Sequence, residues 1–461
     1  MALLRTSSTH RATGSALLHA PVLALLAVPC VLGAARAQDP PAPDTQAKPA
    51  DQRPFIRGSL TSRYWLRSGE SRSDQDIFET LSLDVGDPEH DAVTGYFVGR
   101  VAADIDGMGG DPTQFAHIND HFGNVYGRIY DAYVDFHRLP GLELARVGRQ
   151  VIHETPEFAY FDGVRVESPE LGSAKILLGA YGGASTHLYE DSSKGDWTFG
   201  AYGEGRFWTG GRVRIDWMHL EDEAVLGAHK NDLFTAGAWQ NLCKGVDVDF
   251  QYGRLEDRDR DIRARLSFDD PDDTFTARLS YYQLLNTQRD LVVDLDPFFN
   301  ALHDEFPYSQ IGLLLTKGVT EKVDIQANVD ARRLADRADA GTYNHDYERV
   351  YFTLDCRDVA VDGLQVALTG DLWHADNQEV YTWGVDVEKA LTDELTASLG
   401  SYYSLYKFDL YLASERDNVR TWFFKLREKP SKEMSFDASY ELEDSDIGKD
   451  HVFKVGMQWR F

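Results

Sequence analysis

The chain has 461 residues, a formal net charge of −28 and an aromatic content of 12%. So large an acidic excess argues against nucleic-acid binding, which depends on Lys and Arg to neutralise phosphates. After the first 40 residues, no segment is apolar over the roughly 20 residues that a membrane helix requires. A mean hydropathy of −0.40 with many aromatic residues instead fits a membrane β-barrel, in which only every second residue faces lipid.

The first residues have the features of a secretory signal peptide. A basic start is followed by an apolar core, and Ala35 and Ala37 supply the small residues that signal peptidase recognises. We therefore expect residues 1–37 to be removed from the mature protein. Residues 38–54 are rich in Pro, Ala and charge and have no apolar face to bury, which predicts a disordered periplasmic tether.

From Phe55 onward, apolar and polar residues alternate. Residues 246–252 read Val-Asp-Val-Asp-Phe-Gln-Tyr, and residues 323–331 and 434–440 follow the same pattern. A period of two places one face of a strand against an apolar medium and the other against water or a polar lumen. The alternating segments run for about 9 to 13 residues, which is enough for a tilted strand to cross a bilayer.

The breaks between these segments alternate in length. Tight breaks such as residues 139–141 and 244–245 are separated by looser, acidic ones such as Thr186–Asp196 and Glu443–Asp450. Short turns at one rim and longer loops at the other are typical of outer-membrane barrels, whereas a β-sandwich has no reason to alternate so regularly. The sequence therefore predicts an all-β fold over residues 55–461, a transmembrane antiparallel up-and-down β-barrel of about 22 strands, within a range of 18–22.

The last strand carries a more specific pattern. Phe453, Val455, Met457, Trp459 and Phe461 alternate with polar residues and glycine, and the chain ends on the aromatic. This ending resembles the general outer-membrane porin class, and the resemblance implies recognition of the strand by the barrel-assembly machinery. Closure is also a physical requirement, because an open sheet edge in hydrocarbon would leave backbone groups unpaired. We expect the chain in the outer membrane of a Gram-negative cell, among lipids and lipopolysaccharide.

If the apolar positions face lipid, the intervening charged residues face the lumen. On this basis we predict that the following residues line a pore: Arg146, Arg212, Arg214, Arg263, Arg265, Arg278, Asp324, Asp330 and Asp386. Basic members concentrate between Arg212 and Arg278, and acids dominate from Asp324 onward. Opposed charges across a lumen can orient solutes and set ion preference. Alternatively, the same residues pair with one another as polar filling of the wall.

A family resemblance appears at residues 144–166. The strings Arg-Val-Gly-Arg-Gln at 146–150 and Phe-Asp-Gly-Val-Arg-Val at 161–166 resemble a stretch of the alginate-export and related substrate-specific porins. In that family, arginines of this region lie near the pore and help to conduct anionic polysaccharide. The resemblance therefore implies that Arg149, Gln150, Asp162 and Arg165 line the pore.

Together these features predict a porin that conducts ions or small polar solutes by diffusion, with anionic and saccharide solutes included. The longest loop, Asn286–Pro307, could constrict the lumen or cover its mouth. A homotrimer is one option for assembly. The alternative function is a barrel that sheaths a separate multihaem cytochrome, since the chain has no C-x-x-C-H motif of its own to bind haem covalently.

Other chemistry has weaker support. Asp104, Asp106 and Asp111 form part of a calcium-loop pattern, without its bidentate glutamate, and are weak Ca²⁺ candidates. We expect no other metal and no cofactor. The histidines are scattered without a recognisable nucleophile, so we predict no enzymatic activity. Removal of the signal peptide leaves two cysteines, Cys243 and Cys356, whose pairing is open.

Overall fold

A computed structural model describes the chain as a series of β-strands. The described residues are 55–69, 73–106, 125–153, 159–186, 196–222, 229–270, 274–289, 304–340, 345–375, 378–409, 414–446 and 448–461. The predicted signal peptide, the predicted tether, Asp111 and most of the loop Asn286–Pro307 lie outside these residues. None of the described helices is long and apolar enough to span a membrane.

The strands follow one another in chain order. Their bounds are β1 (Ile56–Ser68), β2 (Ser73–Val85), β3 (Val93–Asp104), β4 (Val125–Leu139), β5 (Leu142–Ile152), β6 (Ala159–Glu167), β7 (Leu177–Ser185), β8 (Trp197–Gly205), β9 (Gly211–Asp222), β10 (His229–Cys243), β11 (Val246–Leu255), β12 (Arg258–Asp269), β13 (Phe275–Leu284), β14 (Gln288–Arg289), β15 (Asp304–Glu305), β16 (Tyr308–Thr320), β17 (Val323–Leu334), β18 (Tyr347–Arg357), β19 (Leu364–Ala375), β20 (Gln378–Ala390), β21 (Leu395–Asp409), β22 (Ser414–Glu428), β23 (Met434–Ser445) and β24 (Gly448–Arg460). Among the described residues, the two-residue strands β14 and β15 pair with each other, and one 3-10 turn spans Arg337–Asp339.

The other strands form one closed antiparallel sheet of 22 strands, which confirms the predicted fold class. Each strand pairs with its neighbours in sequence, and β1 pairs with β24 from Ser59↔Arg460 to Ser68↔His451. Reciprocal backbone hydrogen bonds between Gly58 and Phe461, at 2.9 and 3.0 Å, extend this closure to the last residue. A Cβ at Gly58 would lie 2.7 Å from the Phe461 ring, so glycine is needed where the terminal aromatic packs on β1.

The outer surface of the barrel is apolar. Large side chains such as Val147, Ile215, Leu399 and Phe453 are exposed at alternate positions of their strands. The residues between them carry the polar and charged groups, so period-two alternation separates an apolar outer wall from a polar inner wall. A closed sheet with this outer belt is a multi-pass β-barrel of the outer membrane, because only closure satisfies every backbone group in lipid.

The two rims differ in their connections. Tight turns such as residues 140–141 and 244–245 lie at the rim that also holds both barrel termini, which corresponds to the periplasmic rim of outer-membrane barrels. One expected long loop at the opposite, outer rim is wrong. Glu443 and Asp450 are Cα partners within the β23–β24 ladder, and both acids face inward and are 2% and 1% exposed. Only residues 446–447 separate these two strands.

One side of the barrel has shorter strands and a row of glycines where the backbones approach closely. Strands β6, β7 and β8 have nine residues each, against 13 in β1 and β2. Gly148, Gly163 and Gly183 are successive register partners across β5, β6 and β7. A Cβ at Gly163 would lie 2.1 Å from the carbonyl oxygen of Gly182, so a side chain there would collide with backbone. The inner face on this side of the barrel has a buried cluster of Ile152, Ala159, Phe161, Tyr181, Tyr202, Met218, Leu220 and Leu233.

The barrel is wide. If the section is circular, 22 strands spaced about 4.8 Å apart and tilted about 40° enclose a backbone cylinder about 44 Å across. Barrels of this strand number enclose a channel or a plugged lumen. Cys243 and Cys356 are both free thiols on different, non-neighbouring strands, so the open question of their pairing is answered in the negative.

Candidate functional site: the inner wall

Strand register places most of the predicted pore residues on the inner wall. The residues that alternate with the exposed apolar positions, and so point inward, are Arg146, Gln150, Arg165, Arg212, Arg214, Arg263, Arg265, Arg278, Asp324, Asp330 and Asp386. Gln150 is fully buried and therefore out of reach of a solute.

Arg149 and Asp162 correct the prediction drawn from the porin resemblance. Arg149 lies two residues from the exposed Val147, and Asp162 lies two residues from the exposed Val164, so both point outward. The guanidinium binds both Asp162 oxygens at 2.7 Å and also donates to the Ile129 carbonyl at 3.0 Å. A bidentate pair neutralises both charges, which lets them lie on the outer wall.

Arg146 is held by a buried carboxylate and an aromatic ring. Its Nε and Nη2 donate to the two oxygens of Asp135 at 2.7 and 2.9 Å. Its guanidinium carbon lies 3.6 Å from the centre of the Tyr133 ring. The three residues come from β4 and β5, where Asp135 and Arg146 are direct register partners. Such a site is fixed in geometry and locally neutral.

A second cluster forms around Tyr202 of β8. The Tyr202 hydroxyl donates to Glu167 at 2.5 Å and accepts from Arg165 at 3.0 Å. The Arg214 guanidinium carbon lies 4.3 Å from the centre of the Tyr202 ring, and Arg214 donates to Asp216 at 2.8 Å. The phenol therefore links two arginines from different strands into one network, which strengthens each hydrogen bond.

Arginine over an aromatic ring recurs around the lumen. Further pairs, with the distance from Cζ to the ring centre, are Arg212 over Trp239 at 4.1 Å, Arg263 over Tyr282 at 5.4 Å, Arg332 over Tyr308 at 3.8 Å and Arg349 over Trp373 at 4.5 Å. The sequence predicted Arg212 and Arg263 as pore residues but did not indicate their aromatic partners. The available signal was parity, since each aromatic also alternates with apolar positions.

Some lumen charges stand apart from these pairs. Arg278 is exposed on β13, and no described carboxylate lies within ion-pair distance of it. Within the described chain, Asp386 and Asp437 likewise form no ion pair. Arg265, by contrast, donates to Asp249 at 2.6 Å, and Arg349 donates to Asp371 at 2.7 Å. The charges able to act on a solute are therefore fewer than the charges present.

Carboxylates also gather at the outer rim. Carboxylate oxygens of Asp74, Asp104 and Asp106 lie within 4.8 Å of one another. Asp74 belongs to β2, so the cluster includes a carboxylate from outside the loop that the sequence pattern indicated. The Asp106 carboxylate accepts from the backbone amide of Gln75 at 3.1 Å. Burial is the largest cause that raises the pKa of Asp106 above its usual value, and neighbouring Asp104 adds to it. Calcium binding here stays a prediction, and Asp111 lies outside the described residues.

The chain matches no protein-family model and no curated protein sequence. The crystal structure of the siderophore receptor PirA from Pseudomonas aeruginosa is similar in fold, with a TM-score of 0.55 at 11% identity over 90% of this chain and 81% of that chain. The P pilus usher (PapC) translocation pore has a TM-score of 0.48 at 10% identity over 88% of this chain and 99% of the other. The outer membrane protein OpdK from P. aeruginosa has a TM-score of 0.43 at 11% identity, covering 88% and 98% of the two chains.

Proposed function

We propose that the barrel is an outer-membrane channel that conducts ions and small polar solutes by diffusion. The observation that carries this proposal is the polar inner wall, on which arginines bind carboxylates and aromatic rings in fixed geometry. Side chains already held by partners need not reorganise when a solute passes. A lumen lined in this way offers hydrogen bonds and aromatic faces without an apolar barrier.

Two arcs of the inner wall differ in net charge, and we propose a preference for cations. Arginines of the first arc, β5 to β13, are largely neutralised by their own carboxylates, as Arg146 is by Asp135. In the second arc, β17 to β23, Asp330, Asp386 and Asp437 form no described ion pair with a basic residue. The acids of the second arc therefore set the electrostatic field that acts on an ion in the lumen.

The alginate-export resemblance does not extend the proposal to anionic polysaccharide. Of its four implied pore residues, Arg149 and Asp162 point outward and Gln150 is buried. Arg165 is bound by Glu167 at 2.5 Å and by Tyr202. No un-neutralised arginine of that stretch is left to attract a polyanion, which supports small polar solutes instead.

Liposome swelling tests the proposal. Refolded protein in liposomes should admit monosaccharides fastest and larger oligosaccharides progressively more slowly, as expected for diffusion through a wide pore. Empty liposomes treated with the refolding detergent are the control. If no sugar of any size causes swelling although the inserted barrel is folded, the open channel is refuted, and the cytochrome sheath becomes the leading alternative.

A further inference from the structure

Buried acids gather on the inner wall at the outer ends of β2 and β3. Asp74 and Asp76 of β2 have opposite parity to the exposed, outward Ile77, so both point inward. Asp104, the last residue of β3, likewise has opposite parity to the outward Val101. Asp76 and Asp104 are direct register partners. Asp74, Asp76 and Asp104 are 3%, 0% and 6% exposed, so the ladder brings three buried acids to one level of the wall.

The spacing of the acids suits a single bound ion. Carboxylate oxygens of Asp74, Asp104 and Asp106 lie within 4.8 Å of one another. Two oxygens on opposite sides of a Ca²⁺ ion, each about 2.4 Å from it, are about 4.8 Å apart. The backbone amide of Gln75 donates to the Asp106 carboxylate at 3.1 Å and so holds Asp106 against β2. One Ca²⁺ ion could therefore contact all three carboxylates.

The acids outnumber the basic residue that binds them. Arg67 of β1 forms ion pairs with both Asp74 and Asp76. One guanidinium balances one of the four carboxylate charges, which leaves three for other cations to balance. Because Asp74, Asp76 and Asp104 are buried, water screens the repulsion between them poorly. A divalent cation among the carboxylates would remove most of this repulsion.

A buried oxygen of Asp76 is a second and independent indication of a cation. Its Oδ2 accepts from Arg67 Nη2 at 2.5 Å. No residue in the described part of the chain donates a hydrogen bond to its Oδ1. Asp76 interacts electrostatically with Asp74, Asp104 and Asp106, so its carboxylate belongs to the same group. A buried carboxylate oxygen without a donor is costly, and a bound cation would satisfy it.

The donor atoms indicate which cation fits. The four aspartates offer oxygen alone, and Ca²⁺ takes oxygen ligands in flexible geometry, whereas Zn²⁺ favours His nitrogen and Cys sulfur. Mg²⁺ requires near-ideal octahedral geometry. Acids that are fixed on two paired strands have little freedom to adopt that geometry, so the group fits Ca²⁺ better than Mg²⁺.

We propose that Asp74, Asp76, Asp104 and Asp106 bind one Ca²⁺ ion that fastens the outer ends of β2 and β3 to each other. Asp74, Asp104 and Asp106 each supply one oxygen, and Oδ1 of Asp76 supplies a fourth contact, direct or through a water on the ion. Arg67 keeps its ion pairs with β2, so the ion also stabilises the outer end of β1. The site differs from the single-loop pattern in the sequence, because half of its ligands belong to β2. It goes beyond the proposed channel and does not depend on it.

Titration with Ca²⁺ tests the site. Refolded protein in a zwitterionic detergent, without lipopolysaccharide, is stripped of metal with EGTA, dialysed and titrated by isothermal calorimetry. We expect one Ca²⁺ ion per barrel. Asp104→Asn should raise the Kd at least about tenfold, because calcium affinity depends steeply on the number of ligand charges.

Two further variants keep the titration decisive if Asp104→Asn does not refold. Asp106→Asn should refold, since the residue is exposed and its amide oxygen can still accept from Gln75. It should also raise the Kd at least about tenfold. Asp84→Asn is the matched control, because Asp84 is an exposed inward acid at the other end of β2. Its loss should leave the Kd unchanged.

Terbium luminescence locates the ion. Tb³⁺ replaces Ca²⁺ at oxygen sites, and a nearby tryptophan excites its emission. Trp65 of β1 is the register partner of Asp76, so bound Tb³⁺ should emit strongly, and added Ca²⁺ should remove the emission by displacing it. Trp65→Phe should abolish most of the emission and leave the Kd for Ca²⁺ unchanged. Emission that is unaffected by Trp65→Phe would mean that the ion lies elsewhere.

Three results of the titration would overturn the site. The first is an absence of Ca²⁺ binding by the folded native chain, in which case a proton satisfies Asp76. The second is an unchanged Kd in both Asp104→Asn and Asp106→Asn. The third is binding that persists in Asp106→Asn but is lost in Glu89→Gln, which removes an exposed acid of the second carboxylate group, in the periplasmic turn. Mg²⁺ that displaces Tb³⁺ as well as Ca²⁺ does would contradict the choice of Ca²⁺. None of these measurements depends on conductance.

Discussion

Replacing Arg146 with methionine separates the two roles open to the arginines of the inner wall, structural pairing and solute contact. The change removes two charge-assisted hydrogen bonds to Asp135, which is only 7% exposed, and a cation–π contact with Tyr133 at 3.6 Å. Leaving one member of a buried ion pair without its partner costs about 3 to 5 kcal/mol. Because the Arg146 side chain is still 19% exposed, we expect the lower end, about 3 kcal/mol.

The assay is urea unfolding of the barrel refolded in phospholipid vesicles, followed by tryptophan fluorescence. The double variant Arg146→Met with Asp135→Leu should lie within about 1 kcal/mol of the native chain, since no buried charge is left alone. Arg278→Met is the matched control: an exposed lumen arginine without a described carboxylate partner, whose loss should cost under about 0.5 kcal/mol. If Arg146→Met costs less than about 1 kcal/mol, the reasoning that this arginine is structurally fixed is wrong.

Three further predictions concern the glycines of β5 to β7, the electrostatic field of the lumen and the outer rim. Gly163→Ala should destabilise the barrel by about 2 kcal/mol or prevent refolding, because its Cβ meets backbone, whereas Gly127→Ala, with open space around its Cβ, should refold normally. Asp386→Asn should move the reversal potential in a KCl gradient toward that of a less cation-selective pore, and an unchanged potential would contradict the proposed field. Because burial raises the pKa of Asp106, the folded state favours its neutral form, and stability should fall as pH rises through that raised pKa. In thermal unfolding across pH 4 to 7, the melting temperature of Asp106→Asn should depend less on pH than that of the native chain. The effect of added Ca²⁺ on the melting temperature at neutral pH tests the calcium prediction.

The barrel itself could be predicted because the alternation of apolar and polar residues in each strand reflects its two environments, the lipid and the lumen. Alternation in β11 or β24 identifies both the strand and the face that each residue occupies, without knowledge of its neighbours. Parity alone also indicates the outward position of Arg149, two residues from Val147. The porin resemblance implied a pore position for Arg149, which the parity of β5 contradicts.

Contacts between strands could not be predicted in the same way. Arg212 meets Trp239 because β9 and β10 pair in one particular register, and neither strand's alternation specifies that register. The end of the β20–β21 ladder at Val385↔Ser401 is hidden for the same reason, since the alternation of β20 continues through Tyr381 and Trp383 beyond that pair. Likewise, Asp74 joins Asp104 and Asp106 only through the β2–β3 ladder.

The most direct test of the central claim is single-channel conductance of the refolded protein without its predicted signal peptide, residues 38–461, in a planar bilayer. The account predicts large, steady steps, with a reversal potential in a salt gradient that indicates cation preference. Barrels that insert and fold but pass no current would contradict it, because a lumen with a polar wall about 44 Å across at the backbone could then not be open.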